Sequence, residues 1–99
     1  MPVRISIDEQ ALADFCHRSH IRKLYLFGSV LRDDFGPESD VDVLVEFEPD
    51  HIPGLAFFAM ENELSGLLGY KADLNTLDFL SSYIRDQVLS EAELLYVQP

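Results

Sequence analysis

Cysteine is almost absent from this sequence. Cys16 stands alone, so no internal disulfide can form. That fits a reducing compartment. Basic residues are also scarce: 7 Lys and Arg face 18 Asp and Glu, for a formal net charge of −11. Phosphate backbones are held mainly by clustered Lys and Arg, so this balance argues against a nucleic-acid partner. It argues equally against binding to an acidic membrane surface. It is compatible with metal cations, with a basic protein partner, or with nothing more than a solvated acidic exterior. Long apolar runs are missing too. The longest, Leu55 to Met60, is far too short to span a bilayer. The first residues, Met1 to Ser6, lack the apolar core of a secretory signal. The expectation is a soluble, cytoplasmic protein.

There are no internal repeats, low-complexity tracts or Ser/Gly-rich linkers. The 99 residues, 47% of them hydrophobic, suit one domain over residues 1–99. Ser6-Ile7-Asp8-Glu9 has the form of a capping box, and Ile7, Ala11, Leu12 and Phe15 follow at helical spacing. A first helix is expected from about Ile7 to Ser19. Ile21 to Phe27 reads as a buried strand ended by the turn Gly28-Ser29. Asp33 to Ser39 reads as loop. Asp40 to Phe47 alternates, with Val41, Val43, Val45 and Phe47 on one face and Asp40, Asp42 and Glu46 on the other; Leu44 breaks the pattern. A second helix is expected over Gly54 to Leu68, stopped by Gly69. A strand follows over Tyr70 to Thr76, then a helix over Leu77 to Ser90 and a short strand over Leu94 to Val97. The class is α+β, a small mixed sheet with helices on one face. Tyr25, Phe27, Phe57, Phe58 and Phe79 are expected in the core.

Asp40 and Asp42, two apart on a strand, project their carboxylates from the same face. Side by side they repel unless a cation or hydrogen bonds compensate. Such hard oxygen ligands suit Mg²⁺, which keeps several waters and bridges to substrate phosphates. Asp73 lies on the polar face of the third strand. If that strand neighbours the Asp40 strand, a third carboxylate joins the pair, able to share metals or to accept a proton. Gly28 lets backbone N–H groups approach a phosphate closely, and Ser29 adds a hydroxyl. Arg32 is either a phosphate ligand or a surface ion-pair partner. Lys71 either pairs with Asp73 or meets a phosphate.

Other readings of these residues fall away or stay modest. An EF-hand is excluded because Val45 occupies the position that needs Gly. No Walker A or dinucleotide fingerprint is present. His17, His20 and His51 show no metal-ligand spacing and are expected at the surface. Ser39 is expected to cap the turn before its strand. Glu46, Glu48 and Asp50 read as a solvated edge.

Gly28-Ser29, ten residues, then Asp40-Val41-Asp42 resembles the signature of the DNA polymerase beta-like nucleotidyltransferase superfamily. The short length resembles its minimal members, the MNT-domain proteins that act as antitoxins beside HEPN-domain toxins. The motif-bearing stretch runs from about Leu24 to Asp73. The resemblance implies that Gly28, Ser29 and Arg32 bind the triphosphate of ATP, and that Asp40, Asp42 and Asp73 form the catalytic, Mg²⁺-binding triad. It further implies transfer of AMP to a tyrosine of a HEPN toxin, with which the chain would form a hetero-oligomer. Asp33 departs from the pattern, since many relatives carry Gly there. A chain of this size has no second domain to form an acceptor cleft, so the partner is expected to complete it. The alternative is an antitoxin of the same fold that neutralises its partner by binding, with little catalysis.

Overall fold

The computed structural model describes residues 7–28, 36, 40–51, 54–76 and 80–98. The elements are α1 (Glu9–Arg18), β1 (Ile21–Phe27), β2 (Val41–Phe47), α2 (Ala56–Leu68), β3 (Ala72–Thr76), α3 (Ser82–Glu91) and β4 (Glu93–Val97). The strands form one mixed sheet in the order β3-β2-β1-β4. β1 runs antiparallel to both β2 and β4, and β2 runs parallel to β3. This is the α+β class that the periodicity implies.

The first helix starts later than the capping-box reading expects. Asp8 is the N-cap, and its Oδ1 accepts from the Gln10 and Ala11 amides at 3.0 and 3.1 Å. Asp8 fills the role because a carboxylate reaches orphan first-turn N–H groups and suits the positive end of the helix dipole. Ser6 lies outside the described residues. α1 turns Leu12, Phe15 and Cys16 into the core. α2 ends at Gly69, which takes the left-handed conformation at φ 75° that favours glycine. α3 starts at Ser82 rather than Leu77, capped by Ser81 Oγ, which accepts from the Ile84 amide at 3.3 Å.

The core lies between one sheet face and the helices α1 and α2. Val41, Val43 and Val45 of β2 meet Leu24 and Leu26 of β1, Ala72 and Leu74 of β3, and Leu64 and Leu68 of α2. Period-two alternation therefore sends Asp42 of β2 and Asp73 of β3 to the opposite face. Leu44, on that opposite side, is fully buried yet lies outside the main cluster. The aromatic residues correct one expectation. Tyr25, Phe27 and Phe57 are only half-buried, and Phe58 is 64% exposed. Phe15 takes their place as the large buried aromatic, and β-branched and Leu side chains fill the remainder. Phe79 lies outside the described residues. α3 buries none of its residues, and Tyr83 is 82% exposed.

β3 lies at a sheet edge, and an edge strand leaves a row of unpaired N–H groups. Two of them are met by side chains of α2. The Ala72 amide donates to Ser65 Oγ at 2.8 Å, and the Leu74 amide donates to Glu61 Oε2 at 2.8 Å. Glu61 and Ser65 are four apart, hence neighbours on one helical face. Arg18 and Glu63 tie α1 to α2 at 2.6 Å, an exposed pair that solvent screens and that adds little to stability.

Candidate active site

The site forms where β1 ends and β2 and β3 begin. Phe27 closes β1 opposite Asp42, and Asp42 stands in register with Asp73 on β3. One β2 carboxylate thus has the end of β1 on one side and a second carboxylate on the other. Adjacent strands lie about 4.8 Å apart, so side chains in register on one face are immediate neighbours. Asp40 immediately precedes β2, is exposed, and is two residues before Asp42. The start of β2 is tied to the approach to β3 by the Val41 amide, which donates to the Lys71 carbonyl at 2.8 Å. The condition for Asp73 to join the pair, a strand lying beside the Asp40 strand, is fulfilled by this pairing.

Gly28 follows β1 with φ 76°. A β-carbon there would collide with Asp42 Oδ2 and lie 3.1 Å from its Cγ. Glycine is therefore required twice at this point, by the backbone conformation and by the carboxylate above its α-carbon. The turn and the Asp42 carboxylate form one fitted unit. Ser29, Arg32 and Asp33 lie outside the described residues, as does Ser39. Among the described residues, Lys71 and Asp73 form no ion pair, and Lys71 is exposed. Asn75, two residues beyond Asp73, donates from Nδ2 to the Asp73 carbonyl at 3.0 Å.

Carboxylates are hard, all-oxygen donors, which fit Mg²⁺ in preference to softer metals, although the oxygens of Asp40, Asp42 and Asp73 do not all lie within 4.8 Å of one another. Neighbouring negative charges are costly without a cation or hydrogen bonds to offset them.

A second group emerges that residue spacing did not reveal. His20, Glu48 and His51 come together at the other end of β1 and β2. His20 and His51 are exposed, as expected. They are nonetheless neighbours of each other and of a carboxylate, which corrects the reading of Glu48 as part of a simple solvated edge. The signal was tertiary: the register Ile21↔Phe47 sets residue 20 opposite residue 48. Glu46, by contrast, pairs with Arg22 at 3.5 Å. Glu61 and Ser65 were also missed, because beside Asn62 and Glu63 on the same helix two polar residues four apart carry no distinct signal.

Fold and site together define a nucleotidyltransferase. The chain belongs to the nucleotidyltransferase domain family, whose model matches residues 9–95. It is similar to the protein adenylyltransferase MntA of Thermococcus cleftensis, with 41% identity over 75 residues, 75% of this chain and 74% of that protein. Among solved structures, it resembles a chain of a toxin–antitoxin complex with AMP-PNP, with a TM-score of 0.74 at 22% identity over 93% of this chain and 75% of that one. It also resembles a chain of a tri-AMPylated Shewanella oneidensis HEPN toxin in complex with an MNT antitoxin, with a TM-score of 0.60 at 22% identity over 91% of this chain and 70% of that one. These two likenesses carry the fold. Among the described residues, no helix is long and apolar enough to cross a membrane.

Proposed function

We propose that this chain is a Mg²⁺-dependent protein adenylyltransferase that acts in the cytoplasm as an antitoxin, moving AMP from ATP to a tyrosine of a HEPN-type toxin. The observation that carries the reading is the position of Asp42, over the Gly28 α-carbon on one side and in register with Asp73 on the other. Phosphate-side and metal-side elements thereby meet at one point. Gly28, followed by Ser29 and Arg32, is assigned to the triphosphate. Asp40, Asp42 and Asp73 are assigned to Mg²⁺, which when bound supplies charge neutralisation to the phosphates.

In this reading the tyrosine oxygen attacks the α-phosphorus of ATP. The bond from that phosphorus to the bridging oxygen breaks, pyrophosphate leaves, and AMP remains on the tyrosine. Asp73 is the carboxylate assigned to take the hydroxyl proton, being exposed and in register with Asp42 on the neighbouring strand. The partner class rests on the related complexes. It is supported by α3, none of whose residues is fully buried and which leaves Tyr83, Ile84 and Leu89 exposed. A surface of that kind suits a protein contact.

The test is mass spectrometry of the HEPN partner after incubation with this chain, ATP and Mg²⁺. A nucleotidyl mass gain on a tyrosine supports the proposal. A tight complex with no gain makes the chain an antitoxin that neutralises by binding.

A further inference from the structure

We infer that His20, Glu48 and His51 form a metal site, separate from the carboxylate row and suited to Zn²⁺. β1 and β2 separate the two places: Gly28 and Asp42 lie at one end of the strand pair, His20 and Glu48 at the other. Seven residues at about 3.3 Å each put roughly 23 Å between them.

The backbone brings the three residues together. His20 follows α1 at φ 59°, and its carbonyl accepts from the Glu48 amide at 2.8 Å. Glu48-Pro49-Asp50-His51 is then a tight turn, closed by the His51 amide donating to the Glu48 carbonyl at 3.1 Å. Pro stands at its second position and Asp50 at its third with φ 68°, the pattern of a type II turn. The third position favours Gly or Asn, yet Asp holds it, and His20 too is a non-glycine residue in the left-handed region. Two such residues within one small cluster fit a site that the surrounding hydrogen bonds keep in place.

The side chains complete the case. The imidazoles of His20 and His51 stack with centroids 3.9 Å apart and planes 12° from parallel. His20 Nδ1 lies 3.6 Å from Glu48 Oε2. One donor atom from each residue falls within 4.8 Å of the others. Around one Zn²⁺, with bonds of about 2.0–2.2 Å, donors stand about 3.3 Å apart. The two exposed rings would have to rotate out of their stack to aim a lone pair each at a common point, where water would complete the coordination. Two nitrogens and one oxygen select a borderline metal over Mg²⁺ or Ca²⁺, which prefer all-oxygen sites. A net charge of −11 favours any cation, and the nearby Arg22 is engaged by Glu46. A bound ion would clip the α1–β1 junction to the β2–α2 junction.

The test uses the full, untagged chain, stripped with a chelator and held in excess Mg²⁺ so that the carboxylate row is occupied. Zn²⁺ is titrated while the histidine ring resonances are followed by NMR and the melting temperature is recorded. The expected result is binding of one ion, a raised melting temperature, and movement of the His20 and His51 resonances while His17 stays still. His20→Asn, which tolerates the left-handed backbone, and His51→Gln should each weaken Zn²⁺ binding by about 100-fold or more. The inference is overturned if the His20 and His51 rings do not respond in the wild type. It is equally overturned if the double variant, folded by circular dichroism, binds Zn²⁺ as tightly. The ring response needs no variant, and neither arm depends on nucleotidyl transfer.

Discussion

Asp42 Oδ2 occupies the space in which a β-carbon on Gly28 would begin. The turn after β1 and the carboxylate at the head of β2 are therefore one fitted unit, and neither can change alone. Gly28→Ala meets two penalties. The residue must hold φ 76°, which costs an L-residue roughly 1–2 kcal/mol, and the new methyl must push Asp42 aside. A misplacement of about 1 Å at reacting groups costs on the order of 10²-fold in rate. The expected outcome is a folded variant, less stable by urea denaturation, whose AMP transfer falls by about that factor.

Asp73→Asn changes charge with almost no change in shape. Asp73 is exposed, and Asn75 binds its carbonyl rather than its carboxylate, so the fold does not depend on the charge. Removing one of several clustered negative charges relieves repulsion. Thermal stability without metal should stay level or rise, while transfer falls by about 10²–10⁴-fold, the usual contribution of a positioned proton acceptor. Mg²⁺ should raise the melting temperature of the wild type by mass action and raise that of the variant less. Unchanged transfer in Asp73→Asn would remove Asp73 from the proposed triad.

The order of helices and strands was legible because α1 has a 3.6-residue apolar period and β2 an alternation broken only at Leu44. The alternation within β2 and within β3 also placed Asp42 and Asp73 on polar faces before any pairing was known. What could not be read was decided by tertiary contact. Asp8 caps α1, and as a residue type it reads as a cap no better than Ser6 does in the sequence. Phe58 looks like core in an apolar run, but it lies on the side of α2 that the sheet does not cover. His20 and His51 are 31 positions apart, and only the antiparallel register of β1 and β2 makes them neighbours.

Glu61 and Ser65 hold the strand that carries Asp73. Their side chains accept from the Leu74 and Ala72 amides, on the strand edge away from β2. Removing either leaves a part-buried N–H without its partner, at a cost of about 1–2 kcal/mol. Glu61→Ala and Ser65→Ala should each lower stability by that amount and speed hydrogen exchange at the Leu74 and Ala72 amides respectively. Glu61→Gln keeps an acceptor and should recover most of the loss. Transfer should fall in the alanine variants, since β3 sets the register of Asp73 against Asp42.

Cys16 should make the fold sensitive to alkali. Its side chain is fully buried, and burial pushes the thiol from 9.0 up to about 12. The folded state therefore holds the proton more tightly than the unfolded state does. Stability from this difference is fully present below pH 9, where both states are protonated. It is lost as pH rises from 9.0 towards about 12, where the unfolded thiol ionises and the folded one does not. The slope from one such group is at most about 1.4 kcal/mol per pH unit. Tyr96 is also raised, first by desolvation, then by Cys16 and by Glu48, so the wild-type curve contains more than one contribution. Urea denaturation of the wild type and Cys16→Ala across this range separates them. The variant should be less stable at neutral pH, from the lost core volume. Its stability should decline less steeply above pH 9. Parallel curves would show that the thiol does not ionise on unfolding. In the folded wild type at pH 8, iodoacetamide should label Cys16 only as fast as the chain opens.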